Sequence, residues 1–145
     1  MFYGEYFHTI DRKGRLIMPA KFREVSKANF IERFFVTRGL DQCLFMFSEE
    51  EWRNQEAKLK AISFTKQQGR IFNRLYFSGA AEVIPDKQGR LLLPPYLKDY
   101  ALIKREVVIV GVSNRIEIWC KEKWQEFYSN SRQSFEEIAE KLMDS

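Results

Sequence analysis

Residues Asp11–Pro19 read Asp-Arg-Lys-Gly-Arg-Leu-Ile-Met-Pro, and residues Asp86–Pro94, 75 positions later, read Asp-Lys-Gln-Gly-Arg-Leu-Leu-Leu-Pro. Asp, Gly, Arg, Leu and Pro coincide in the two copies, and the surroundings repeat as well. Each copy continues into a segment that predicts one or two helical turns, residues 20–25 or 95–101. An apolar extended run follows (34–37 or 107–110), then a Gly-containing turn and a second extended run (43–47 or 115–119). Each copy then reaches a charged helix start containing Trp52 or Trp124. The tryptophans lie 72 apart, so the second copy is three residues shorter between motif and helix. Agreement of motif, order and spacing marks a duplicated unit.

One unit reads as strand, turn, strand, short helix, strand, turn, strand and two helices. Residues 6–10 and 15–18 are rich in β-formers and are split by a polar Gly-containing loop, which predicts a hairpin. Pro19 stops the second strand because it has no ladder N–H. Ser48-x-x-Glu51 predicts a capping box, in which hydroxyl and carboxylate satisfy each other's backbone N–H groups. A further helix is predicted from Thr65, with Ile71, Phe72, Leu75 and Tyr76 on one face. Ser134-x-x-Glu137 repeats the box ahead of Phe135, Ile138, Ala139 and Leu142, which share a helical stripe. Both stripes are expected to be packing surfaces. A unit of about 70 residues has a marginal core alone, and no Gly/Ser/Pro-rich linker separates the copies. The expectation is one fused, pseudo-symmetric α+β body with halves 1–80 and 81–145.

The chain has 145 residues, 45% of them hydrophobic and 15% aromatic, which excludes wholesale disorder. Two cysteines and one histidine are too few for an ordinary zinc site of about four ligands, and a secreted disulfide scaffold has no support. The longest apolar run, residues 107–112, is far short of the roughly 20 residues of a membrane span. The N-terminus lacks the basic-then-apolar pattern of a signal peptide. These features predict a cytoplasmic protein with no metal and no cofactor. No nucleophile elbow, Walker loop or His-Glu-x-x-His motif occurs. His8, within Tyr-Phe-His-Thr-Ile, reads as a half-buried structural residue. The acids Glu49, Glu50, Glu51 and Glu56 sit where a helix N-terminal dipole favours them. The chain is not expected to be an enzyme.

Net charge is only +4, but its placement is uneven. Residues 1–23 hold five bases against two acids, as do residues 86–105; residues 58–76 hold five bases and no acid; residues 121–145 hold four bases against six acids. Two readings of the Asp-x-x-Gly-Arg loop follow. Asp can accept loop N–H bonds, Gly can supply positive φ and Arg can pair with Asp four residues back, so the motif can simply close a turn. Alternatively, the arginines bond phosphate or guanine bidentately, and two basic hairpins form a nucleic-acid surface, since a two-stranded ribbon fits the major groove.

Three stretches carry a family resemblance: MFYGEYFHTIDRKGRLIMPAKFRE at the start, then GRIFNRLYFSGAAEVIPDKQGRLLLPPYL and REVVIVGVSNRIEIW. Together they resemble the MraZ family of bacterial transcriptional regulators along essentially the whole chain. That family is similar to the AbrB and MazE class of DNA-binding proteins. The resemblance implies a duplicated swapped-hairpin β-barrel with flanking helix pairs and a pseudo-two-fold axis within one chain. It further implies a ring-shaped homo-oligomer, associated with the nucleoid, that binds direct repeats in double-stranded DNA upstream of its own division and cell-wall operon. On this likeness Arg15 contacts DNA, with Arg12 and Lys13 in support, and Arg90 and Lys87 are the second-half equivalents. Asp11, Gly14, Asp86 and Gly89 shape the loops, and Asp11 orients Arg15 without touching phosphate. Gln88 stands where the first loop has Lys13. Arg12 departs from the small or acidic residue expected there, which strengthens phosphate contact and blurs sequence preference. Phe127, Tyr128 and Phe135 are candidates for subunit contacts. Two other classes stay open: an antitoxin-like module that binds a protein partner, and an RNA-binding or structural ring protein whose hairpins are only turns.

Overall fold

The prolines that end the motifs do two jobs in the three-dimensional structure, a computed structural model that describes residues 1–144. Pro19 terminates β2 (Arg15–Ile17) and, with φ −52° and ψ 144°, caps α1 (Ala20–Ala28). Pro94 does the same between β6 (Arg90–Leu92) and α4 (Pro95–Tyr100), with Pro95 in the first helical turn, where no N–H bond is lost. Each short helix drives one large apolar side chain inward, Phe22 from α1 and Leu97 from α4. These two residues are 75 apart and occupy equivalent places.

The other elements are β1 (Phe2–Thr9), β3 (Phe34–Arg38), β4 (Leu44–Ser48), α2 (Glu49–Leu59), α3 (Gln67–Ser78), β5 (Ala81–Val83), β7 (Glu106–Ser113), β8 (Arg115–Cys120), α5 (Lys121–Ser131) and α6 (Phe135–Met143). A 3₁₀ turn (Arg132–Ser134) joins the last two helices. The repeated order of elements agrees with the pattern of the sequence. Six strands form an antiparallel sheet in the order β1-β7-β8-β4-β3-β5, and β2 and β6 form a separate antiparallel ribbon.

The strands interleave between the halves. β1 lies along β7, from Phe2↔Ser113 to Thr9↔Glu106, and β5 lies along β3 with Val83 opposite Phe34. The predicted local hairpin of residues 6–10 with 15–18 is therefore corrected: the two segments share only the bridge Ile10↔Leu16. Each finds its ladder in the other half, as the swapped-hairpin likeness implies. β4 meets β8 with Phe45 opposite Glu117, equivalent positions 72 apart, so the pseudo-two-fold axis passes there. It passes again between Leu16 and Leu91 in the ribbon.

One sheet face, the ribbon and helices α1 and α4 enclose the main core, which includes Leu16, Phe22, Phe34, Val36, Leu91, Leu97, Ile109 and Ile118. On the opposite face, α2 and α3 bring Trp52 and Tyr76 into stacked contact, with ring centroids 5.7 Å apart, over Phe47. α5 sets Trp124 against Trp119 at 5.3 Å. Burial of these rings is the principal attraction holding the helices to the sheet.

The helix starts differ from expectation in three places. Ser48 Oγ accepts the Glu51 N–H at 3.3 Å, but the Glu51 carboxylate accepts from Gln55 and Asn114 and does not return to Ser48, so the box is half formed. α3 opens at Gln67 after Lys66, because the Thr65 hydroxyl bonds Ser63; Tyr76 is buried, whereas Ile71 and Leu75 are exposed. Ser134 makes no side-chain cap, and at the start of α6 the side chains of Phe135 and Ile138 are exposed.

Candidate nucleic-acid interface

The two motif loops are built alike. Asp11 Oδ1 accepts the N–H groups of Lys13 and Arg15, each at 2.9 Å, and Asp11 Oδ2 accepts Arg15 Nε at 2.8 Å. Asp86 does the same with Gln88, Arg90 and Arg90 Nε, at 2.9, 2.9 and 2.8 Å. Gly14 and Gly89 take φ of +82° and +80°, a region open to glycine at little cost. The backbone N–H groups of Arg15 and Arg90 are the main cause holding the Asp11 and Asp86 carboxyls below the ordinary aspartate value; burial opposes them, and the guanidinium bonds assist. Each aspartate therefore stays ionised and points its arginine.

The loops are also locked across the halves. The Leu93 N–H donates to the Gly14 carbonyl at 3.0 Å, and the Met18 N–H to the Gly89 carbonyl at 2.9 Å. A Cβ at Gly14 would lie 2.9 Å from Lys98 Nζ, and one at Gly89 would lie 2.6 Å from Arg23 Cδ. Arg23 of α1 thus backs the second loop, and Lys98 of α4 backs the first. These equivalent bases were absent from the predicted site. Their signal was a basic residue at the same distance after both motifs, but sequence alone did not show that each reaches the opposite loop.

The ribbon brings the motif arginines together. Its register sets Arg15 opposite Leu92, Leu16 opposite Leu91 and Ile17 opposite Arg90. Leu16 and Leu91 point into the core, so Arg15, Ile17, Arg90 and Leu92 share the outer face. Both arginines line one open groove of about 630 Å³ with His8, Ile17 and Lys121. Each keeps 28% of its side chain exposed, and each commits Nε to its aspartate. Arg12, Lys13 and Lys87 stand exposed on the loops. Half-burial, aided by the Arg23 charge, lowers the His8 pKa, so His8 adds little positive charge near neutrality. The basic stretch 58–76 lies on α2, α3 and their connection, away from the ribbon strands in the chain.

No three His, Cys, Asp or Glu side chains cluster as a metal would require among the described residues. Cys43 and Cys120 are free and buried. Also among the described residues, no helix is long and apolar enough to cross a membrane.

The family model described as "MraZ protein, putative antitoxin-like" matches residues 1–75 and again 76–145. This chain belongs to the MraZ family. It is 53% identical over 144 residues to the Transcriptional regulator MraZ of Carboxydothermus hydrogenoformans, covering 99% of this chain and 98% of the relative. The protein of the same name from a Thermoanaerobacter species is 53% identical with the same coverage. That of Acetivibrio thermocellus is 51% identical over 142 residues, 98% of this chain and 96% of its own length. The names of these MraZ relatives are those of regulators and not of enzymes.

Proposed function

We propose that this chain is a DNA-binding transcriptional regulator, and not an enzyme, whose β2–β6 ribbon and flanking loops contact duplex DNA. The observation that carries the reading is the outer face of that ribbon, where Arg15 and Arg90 lie together and are aimed by Asp11 and Asp86. Arg15 and Arg90 make the central contacts; Arg12, Lys13 and Lys87 bind phosphate at the edges. Gly14 and Gly89 permit the turns, and residues 1–80 and 81–145 act as two halves of one reading head. The curated relatives' names support the same class.

In its finer form the reading places the target upstream of the protein's own division and cell-wall operon, in the nucleoid. The chain engages direct repeats there as a ring. One small ribbon makes few phosphate contacts, so its affinity is modest and salt-dependent. Several ribbons on evenly spaced repeats gain roughly 10²–10⁴ by avidity. Direct repeats suit a head-to-tail assembly.

The test is fluorescence anisotropy with labelled DNA from upstream of the gene against scrambled DNA of equal length, at two salt concentrations. Wild type binds the upstream DNA selectively; Arg15→Ala and Arg90→Ala lose that binding while light scattering shows an unchanged oligomer. Binding that ignores sequence and both substitutions assigns the motif to turn formation alone. Equal affinity for one repeat and three defeats the ring mechanism.

A second reading, a protein-partner module of the antitoxin kind, draws on the outward stripe of α6, where Phe135 and Ile138 are exposed. Phe127, Tyr128 and Phe135 serve equally as subunit contacts in the ring. Phe135→Ser separates the two: it dissociates the ring in one case and leaves its size unchanged in the other.

A further inference from the structure

The outer face of the ribbon is only half charged. Ile17 is 42% exposed and Leu92 59% exposed, between arginines, on a two-stranded ribbon whose inward positions are already filled by Leu16 and Leu91. Outward positions of a half-solvated strand are normally polar. Exposed strands with free edges are normally protected by charge. Two large aliphatic side chains at pseudo-equivalent outward positions therefore need an occupant.

We propose that Ile17 and Leu92 read thymine methyl groups in the major groove of the DNA that the ribbon binds, an inference that rests on the regulator reading. Charge complementarity selects this occupant. Arg15 lies opposite Leu92 and Arg90 opposite Ile17, so any surface covering the aliphatic pair must also accept two guanidinium groups. A second ribbon would set arginine against arginine. The major-groove edge of DNA supplies guanine O6 and N7 acceptors together with the thymine C5 methyl as its apolar feature. Diagonal neighbours on an antiparallel pair are about 7–8 Å apart, which matches roughly two base-pair steps of 3.4 Å. Ile17 and Leu92 thus reach bases about two steps apart, and the arginines reach the positions diagonal to them.

The experiment removes the methyl groups and leaves the protein untouched. Upstream DNA is prepared with every thymine and again with every thymine replaced by uracil, and both are titrated with wild type and with the Ile17→Ser/Leu92→Ser double variant at one salt concentration. Each lost methyl contact should weaken wild-type binding about fourfold, as expected for one buried methylene-sized group. The double variant, verified as folded by thermal melting, should bind both duplexes alike. Equal wild-type affinity for the two duplexes overturns the inference while leaving the DNA-binding reading intact. So does a double variant that stays uracil-sensitive but changes oligomer size, which would assign the pair to a subunit contact. Wild type that binds neither duplex overturns the regulator reading and this inference with it.

Discussion

The Leu93 N–H donates to the carbonyl of Gly14 at 3.0 Å, which ties the strand end of the second motif to the loop of the first. The reciprocal bond from Met18 to Gly89 completes a cross-brace around the pseudo-two-fold axis. Neither loop is a free tip: each is closed by its own aspartate and anchored by the other half. Both arginines are consequently aimed from a rigid frame, as selective recognition requires.

This brace makes the motif glycines sensitive. Replacing either with alanine forces an L-residue to positive φ, at roughly 1–2 kcal/mol. Gly89→Ala is expected to cost more than Gly14→Ala. Its methyl would meet the Arg23 stem at 2.6 Å, whereas the other meets the mobile Lys98 ammonium at 2.9 Å. Thermal unfolding should drop by about 2–4 °C per kcal/mol, in that order. Unchanged melting in both variants would contradict the strained-turn account.

Acid should open the loops late. The Asp11 and Asp86 carboxyls titrate below the 3.8 of a free aspartate, so their folded values lie under their unfolded ones. Their contribution is fully present above 3.8 and is lost as pH falls through the lower folded values. The Gly14 and Gly89 amide resonances, followed from about pH 5 to pH 2, should stay native at pH 4 and shift only below 3.8. A midpoint at or above 3.8 would show that the arginine-loop bonds do not persist in solution.

The crossing of the pseudo-axis between β4 and β8 is not symmetric. Glu117, buried opposite Phe45, accepts Arg115 Nε at 2.9 Å and Trp119 Nε1 at 3.0 Å, and the Arg115 guanidinium lies 4.7 Å from the Phe45 ring centre. Glu117→Ala strands the buried indole N–H and is expected to cost about 2 kcal/mol. Glu117→Gln, which keeps one acceptor, should cost less. Urea unfolding followed by tryptophan fluorescence measures both. Equal costs would mean that the loss comes from the carboxylate charge paired with Arg115, because Gln keeps both the side-chain volume and an acceptor for the indole.

Element order was legible because each element occurs twice, and two imperfect copies correct one another. Strand partners were not legible from local pattern: a β-former run, a Gly loop and a second run look the same whether the ladder closes locally or, as for His8↔Val107, with a segment about a hundred residues away. Ser48 fails as a full box for the same reason, since Glu51 reaches Asn114 on the β7–β8 turn. Periodicity revealed that α6 has an apolar face but could not reveal whether anything in the chain covers it. At the loops, the Asp-to-Arg spacing of four residues was enough to foresee the turn. The placement of Arg23 behind Gly89 was not foreseeable, because it depends on the swap.

The two loop tips differ most simply at Lys13 and Gln88, which gives a test of which contacts carry sequence information. Both residues are exposed, and each donates its backbone N–H to the motif aspartate, so exchanging their side chains leaves the turn intact. If the tips bind phosphate, Gln88→Lys adds about one contact per chain and steepens the dependence of log affinity on log salt by roughly 0.9. Upstream and scrambled DNA should gain alike, leaving their ratio unchanged, and Lys13→Gln should do the reverse. Anisotropy titrations across several salt concentrations read both quantities at once. A gain confined to upstream DNA would place the tip at a base edge, and no gain at all would place the second loop away from the duplex.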